Sequence, residues 1–119
     1  PIQDFAAMRE AGTKLAKKYR IPILLKGGHL SGEVATDLLF VEGNIIEFSA
    51  PFSHGIATHG TGCTYSAAIA AGLANRLPLE KAIGRAKKFV SAAIAQYRSW
   101  ETSSGSPLHA LNHSPDDWE

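Results

Sequence analysis

Residues 58–65 read Thr58-His59-Gly60-Thr61-Gly62-Cys63-Thr64-Tyr65, and Cys63 is the single cysteine of the 119-residue chain. Glycines stand on both sides of Thr61, and behind the thiol an alanine-rich stretch to Asn75 reads as a buried helix of small side chains. Glycine lets a backbone approach a ligand closely and take conformations other residues avoid. The first N–H groups of the helix then point unpaired into the loop with the positive end of the macrodipole behind them, an arrangement suited to an anion and most often to phosphate. A thiolate at that place is stabilised by the same donors. The competing reading is a packed cysteine at a tight turn, since free cysteine is among the most buried residue types. Spacing alone leaves both readings open. The loop is not a Walker loop, because no Gly-Lys-[Ser/Thr] follows. Nor is it a Rossmann fingerprint, because the third glycine is missing and no strand leads directly into it.

Upstream, Phe5, Met8, Leu15 and Tyr19 recur at helical spacing, which predicts an amphipathic helix over residues 3–19 with Asp4 near its positive end and Pro22 as its stop. Ile23-Leu24-Leu25 is a short continuous apolar run, the pattern of a strand covered on both faces, and Lys26-Gly27-Gly28-His29 ends it in a loop. The run 37–41 predicts a second strand, Glu42-Gly43-Asn44 a turn, and 45–49 a third strand. Downstream, Pro78 marks a helix start, and a stripe from Leu79 through Ala82, Ile83, Ala86 and Val90 to Tyr97 carries that helix to about Trp100. The tail from Thr102 to Glu119 reads as irregular. The order helix, strand, hairpin, helix, helix is that of an α/β layered fold with a sheet too narrow to stand alone. An edge beside Ile23-Leu24-Leu25 therefore calls for a neighbouring strand.

Bulk composition excludes several classes. Twelve basic and eleven acidic side chains leave a net charge of +1, with no basic patch for nucleic acid; Lys14, Lys17, Lys18 and Arg20 read as a solvated helix face. Hydrophobic residues at 45% and charged residues at 19% give a chain able to build a core. Residues 48–75 hold no Asp, Glu, Lys or Arg, yet Pro51, two histidines and four glycines make the stretch too polar and too broken for a membrane span. One cysteine makes no internal disulfide, which points to a reducing compartment and a cytoplasmic protein. The chain opens on Pro1 with a helical pattern almost at once, which is read as a start inside a longer protein.

Taken together, His59-Gly60-Thr61-Gly62-Cys63-Thr64 with Ser66-Ala67-Ala68-Ile69-Ala70-Ala71 behind it resembles the signature of the hydroxymethylpyrimidine (phosphate) kinases of thiamine biosynthesis. Leu25-Lys26-Gly27-Gly28-His29, Thr36-Asp37-Leu38-Leu39, Ala74-Asn75, Leu79-Glu80-Lys81-Ala82 and Ala86-Lys87 follow the same pattern in order, so the likeness runs from about Ile21 to Trp100. It implies the C-terminal half of a ribokinase-like three-layer α/β/α fold, with residues 1–119 one portion of a single kinase domain. It implies ATP and Mg2+ as cofactors and a pyrimidine as substrate. It implies that the Gly60, Thr61 and Gly62 backbone forms an anion hole around the transferring phosphate. Cys63 stands where sugar kinases of the superfamily keep an aspartate base, and would take the proton from the attacking group. Lys26, at the end of an apolar strand, would reach the ATP phosphates along with Gly60 and Gly62; the bland alternative is a surface lysine. The remaining substrate contacts are expected in a missing N-terminal half, and the family commonly pairs as homodimers. Two departures stand out: Gly55-Ile56-Ala57-Thr58 replaces the family's usual Thr-x-Asn-Thr-like lead, and family members are roughly twice as long.

His29 and His59 are weaker candidates, His59 either contacting phosphate or capping the loop. Asp37 reads as a loop or strand-start residue rather than a magnesium ligand. A pyridoxal kinase with a cysteine base is the near alternative within the class. Outside it stand a non-catalytic nucleotide- or phosphate-binding module and a cysteine hydrolase pairing Cys63 with His59, which lacks a clear orienting group. His109, His113, Asp116 and Asp117 could be read as a metal site, against the simpler reading of a polar, frayed terminus.

Overall fold

The structure is a computed structural model that describes residues 4–27, 34–51, 60–101, 103–105 and 107–119. The chain divides into two compact units, Pro1–Phe52 and Ser53–Glu119. His29, His59, Gly28 and the 55–58 lead lie outside the described residues.

In the first unit, helix α1 (Phe5–Tyr19) starts at Asp4, whose carboxylate accepts the Ala7 N–H at 2.8 Å. That bond satisfies one of the orphan donors of the first turn. The helix ends two residues before Pro22, where Arg20 turns left-handed (φ 55°) and its N–H closes on the Ala16 carbonyl at 2.9 Å. Lys17 and Lys18 sit in the last turn, opposite in sign to the dipole there. The buried seam is narrower than the expected stripe: Met8 and Gly12 are buried and Ala16 partly so, whereas Phe5 and Tyr19 are exposed. The reason is steric. A Cβ at Gly12 would overlap the Phe40 ring, so the small residues at 12 and 16 are what let the helix lie close on the sheet.

Strands β1 (Ile23–Lys26), β2 (Val34–Val41) and β3 (Asn44–Pro51) form an antiparallel sheet in the order β1-β2-β3. β1 lies at an edge and is only half-buried, correcting the expectation of a strand covered on both faces. That environment belongs to the central strand β2, where Thr36 to Phe40 are all buried on alternating faces. Leu38 and Phe40 meet Met8 in one core, with Ile23 and Leu25 packed at its margin. Burying each such side chain contributes about 1.5–3 kcal/mol. Glu42 (φ 49°) and Gly43 (φ 78°) make the two-residue turn into β3, both in the left-handed region as a type I′ hairpin requires. Asp37 is neither in a loop nor at a strand start. It is 2% exposed in the middle of β2, and its Oδ1 accepts the Gly27 N–H at 3.1 Å, tying the end of β1 to the next strand.

In the second unit, α2 (Thr61–Ala74) and α3 (Leu79–Ala95) pack as a helical hairpin. α2 closes in a Schellman pattern: Arg76 is left-handed (φ 64°), its N–H reaches the Leu73 carbonyl at 2.9 Å, and the Leu77 N–H reaches Gly72 at 3.0 Å. A Cβ at Gly72 would sit 3.0 Å from that of Ala82, so the two helices approach closely there. α2 is not the buried helix expected from its composition. Only Tyr65 and Gly72 are buried, because small apolar residues all round give it no single seam and α3 covers one side. α3 buries Ala82, Ile83, Ala86, Val90 and Ala93, as its periodicity predicts. It stops at Gln96 rather than near Trp100, since residues 98–101 are taken up by strand β4 (Arg98–Glu101), paired antiparallel with β5 (Pro107–Ala110). The tail is thus not irregular from Thr102, and beyond β5 it docks back on α3. The Asn112 N–H bonds the Ala93 carbonyl at 3.0 Å, Leu111 is buried, and the Gln96 amide both donates to the Asp116 carbonyl and accepts its N–H, each at 2.8 Å.

Candidate active site

The segment quoted at the outset opens α2. Gly60 is its N-cap at φ 83°, a left-handed conformation that favours glycine, and a Cβ there would meet nothing within 4 Å among the described residues. The glycine is therefore needed for its backbone angle. The first helical bond runs from the Thr64 N–H to the Gly60 carbonyl at 2.8 Å. Thr61, Gly62 and Cys63 occupy the three positions ahead of it, where the N–H groups have no intrahelical acceptor. Among the described residues no side chain caps this end, and the first turn holds no acidic residue, so the dipole is not offset there by the helix's own side chains. Cys63 is exposed, which decides against the packed-cysteine reading.

Beside that first turn lies a cavity of about 570 Å³, inside the range of small-molecule sites. One face of α2 supplies Cys63, Thr64, Ala67, Ala68 and Ala71 at helical spacing. From α3 come Arg85, Ala86 and Phe89, and the tail closes it with His113 and Trp118. The walls are mostly alanine and aromatic carbon. The Trp118 ring meets Phe89 edge-on at 5.0 Å and lies under the Arg85 guanidinium at 4.9 Å. Arg85 also pairs with Glu119 at 2.9 Å. Polar groups gather at the α2 end: the thiol, the Thr64 hydroxyl and the His113 ring, whose Nε2 is 3.2 Å from Thr64 Oγ1.

Gly60 is the N-cap of α2, and Thr61, Gly62 and Cys63 form the start of its first turn. Lys26 belongs to the first unit, exposed at the end of β1, beside Gly27 with its bond to Asp37. Of the four acidic and histidine residues considered for a metal, His113 meets Thr64, His109 lies edge-on to Tyr97 at 4.9 Å and Asp116 pairs with Gln96 through its backbone. Among the described residues no group of three or more His, Cys, Asp or Glu side chains is placed to hold a metal ion. Nor is any described helix long and apolar enough to cross a membrane. Sequence reasoning missed the wall formed by Arg85, Phe89, His113 and Trp118. The available signal was Leu108, Leu111 and Trp118, three large apolar residues in a mostly polar tail.

Residues 1–108 match the phosphomethylpyrimidine kinase family. The chain belongs to that family. It is 40% identical over 107 residues to a hydroxymethylpyrimidine/phosphomethylpyrimidine kinase of Rhizobium meliloti, and 46% identical over 93 residues to the Aquifex aeolicus protein of the same name. These matches cover 89% and 78% of this chain, but 40% and 36% of those relatives, so the chain spans about two-fifths of their length. Among solved structures, the pyridoxal kinase of Staphylococcus aureus in complex with AMP-PCP and pyridoxal superposes with a TM-score of 0.84 at 26% identity, over 98% of this chain and 42% of that one. The fold is accordingly the ribokinase-like α/β fold of such kinases. The phosphomethylpyrimidine kinase match reaches further on both sides than the motif likeness from Ile21 to Trp100, and ends before the segment that carries His113 and Trp118.

Proposed function

We propose that this chain carries the nucleotide and base end of an ATP-dependent kinase acting on hydroxymethylpyrimidine and its monophosphate. The observation that supports this most is the opening of α2: a family-matched Gly-Thr-Gly-Cys run, left-handed at Gly60, without a side-chain cap among the described residues, with an exposed thiol at its third helical position. In this reading the Gly60, Thr61 and Gly62 backbone stabilises charge on the transferring phosphoryl group, and Cys63 takes the proton of the attacking hydroxyl or phosphate. The neighbouring cavity has room for part of a nucleotide, and Lys26 supplies a point charge for the ATP phosphates. Magnesium comes with the nucleotide, because Mg2+ is commonly held through substrate phosphates and few protein ligands. The rest of the pyrimidine pocket is assigned to the N-terminal half of such an enzyme, and the assembly to a cytoplasmic homodimer.

A second reading, a pyridoxal-type kinase with a cysteine base, is favoured by the fold likeness to pyridoxal kinase. Both are tested by one assay on the protein in the form that carries the whole kinase: phosphate transfer from ATP to hydroxymethylpyrimidine, to its monophosphate and to pyridoxal. Turnover of the pyrimidines above pyridoxal is the expected result. Cys63→Ala is expected to lower turnover by about 10²–10⁴-fold while nucleotide still binds. Unchanged turnover in that variant removes the base assignment.

A further inference from the structure

His113 is held in place from both sides. Before it, the Asn112 N–H is fixed to Ala93, and Asn112 Oδ1 accepts the Ser114 N–H at 3.0 Å, folding the chain around the histidine. After it, the paired bonds between Gln96 and Asp116 tie the strap to the end of α3. The imidazole is thereby presented to the first turn of α2, with Nε2 3.2 Å from Thr64 Oγ1. A threonine hydroxyl inside a helix ordinarily turns back onto the carbonyl four residues earlier. For Thr64 that carbonyl belongs to Gly60, the left-handed N-cap. Here the hydroxyl meets the His113 ring instead, and Thr64 lines the cavity next to Cys63.

We propose that His113 is a positioning residue for this site, acting through Thr64. With its proton on Nε2, the ring donates to Thr64 Oγ1 and leaves the hydroxyl hydrogen for an anion at the opening of α2. The hydroxyl then adds a side-chain donor to those of the backbone. The inference rests on the phosphotransfer reading for the identity of the anion, the phosphate end of a nucleotide.

Cys63 is the chain's one thiol and is exposed, so its alkylation by iodoacetamide reads the first turn of α2 without any turnover. AMP-PCP is expected to slow that alkylation in the unaltered protein. His113→Ala should raise the AMP-PCP concentration needed for half-protection about tenfold, the scale of one hydrogen bond to a charged group. Thr64→Val should cost the same, and the double variant no more than either alone. His113→Gln, whose amide can donate to the same oxygen, should recover most of the protection. In turnover, the KM for ATP should rise more than kcat falls. Protection in His113→Ala equal to the unaltered protein, additive losses in the double variant, or no protection by AMP-PCP at all would each overturn the proposal. The two readings separate cleanly. Pyrimidine phosphorylation with protection indifferent to His113 sinks this inference alone, whereas the full protection pattern without phosphorylation of any pyrimidine sinks the kinase reading alone.

Discussion

Met8, Leu38 and Phe40 in the first unit are closed over by Ala16, Ile23 and Leu25, while in the second unit Ala67, Ala68 and Ala71 line an open cavity. Both regions are rich in apolar residues, and both place a helix against neighbours with glycine at the closest approach. They differ in side-chain size. In the first, large side chains fill the space that Gly12 leaves, and the buried polar group Asp37 is paired. In the second, alanines on α2 leave a void of about 570 Å³ that the tail covers in part. Filled space stabilises a unit through dispersion and area burial. Unfilled apolar space beside the opening of a helix forgoes that stabilisation and leaves room for a ligand.

The sharpest way to break this contrast is at Gly27, where a Cβ would overlap the backbone oxygen of Thr36. That atom cannot move aside without opening the β1–β2 ladder, in which Lys26 pairs with Asp37. Gly27→Ala is expected to destabilise the fold by about 3 kcal/mol, seen as a lower urea midpoint. A midpoint within error of the parent would show that the first unit is not tightly closed. Asp37→Ala strands the Gly27 N–H and is expected to cost about 2 kcal/mol in the same measurement, with Asp37→Asn milder because it keeps an acceptor. Equal costs for the two variants would mean that charge, not the hydrogen bond, is what the site requires.

In the second unit the corresponding change should act locally. Gln96→Ala removes both bonds to Asp116, which lie at the surface, and should lower global stability by no more than about 1 kcal/mol. Amide exchange in residues 112–118 should nevertheless quicken, and a global loss comparable to Asp37→Ala would place the tail inside the core. The smallest effect is expected at the Glu10–Lys14 pair on the solvent side of α1, 2.8 Å apart. The hydrogen bond and then the charge of Lys14 hold the Glu10 carboxyl below its usual range, and the same contacts from Glu10 hold the Lys14 ammonium above its own. Glu10 therefore contributes stability above its unfolded value and loses it as pH falls through the folded one. Lys14 contributes below its unfolded value and loses it as pH rises through the folded one. Lys14→Met should show a slightly lower thermal midpoint than the parent at neutral pH and the same midpoint once acid has protonated the carboxylate. A gap that persists in acid would assign the difference to packing of the lysine stem instead.

Much of this was legible in the residues themselves. The Gly60–Cys63 opening, the turn at Glu42-Gly43, the Pro78 start and the α3 stripe each depend on chemistry local to a few positions. Local rules sufficed because backbone angles, caps and helical periodicity act within a turn or two of the chain. Burial was less legible. Ile23-Leu24-Leu25 and the alanines of α2 both looked like interior segments, yet one is a sheet edge and the other half of a cavity. An apolar run states a preference for cover, whereas its neighbours decide whether cover is there. The tail shows the same division: its polar composition concealed Leu111, Trp118 and the Gln96–Asp116 lock.

By itself the sequence determined the order of elements as far as α3, the family, and that a glycine-flanked turn with the cysteine opens α2, because each rests on local patterning or on motif identity. Only the tertiary structure decided that β2 is the strand buried on both faces, that Asp37 serves the Gly27 backbone, and that the tail brings His113 to Thr64. Those contacts join residues 10 to 49 positions apart, and which distant partners meet depends on how the elements of each unit pack on one another.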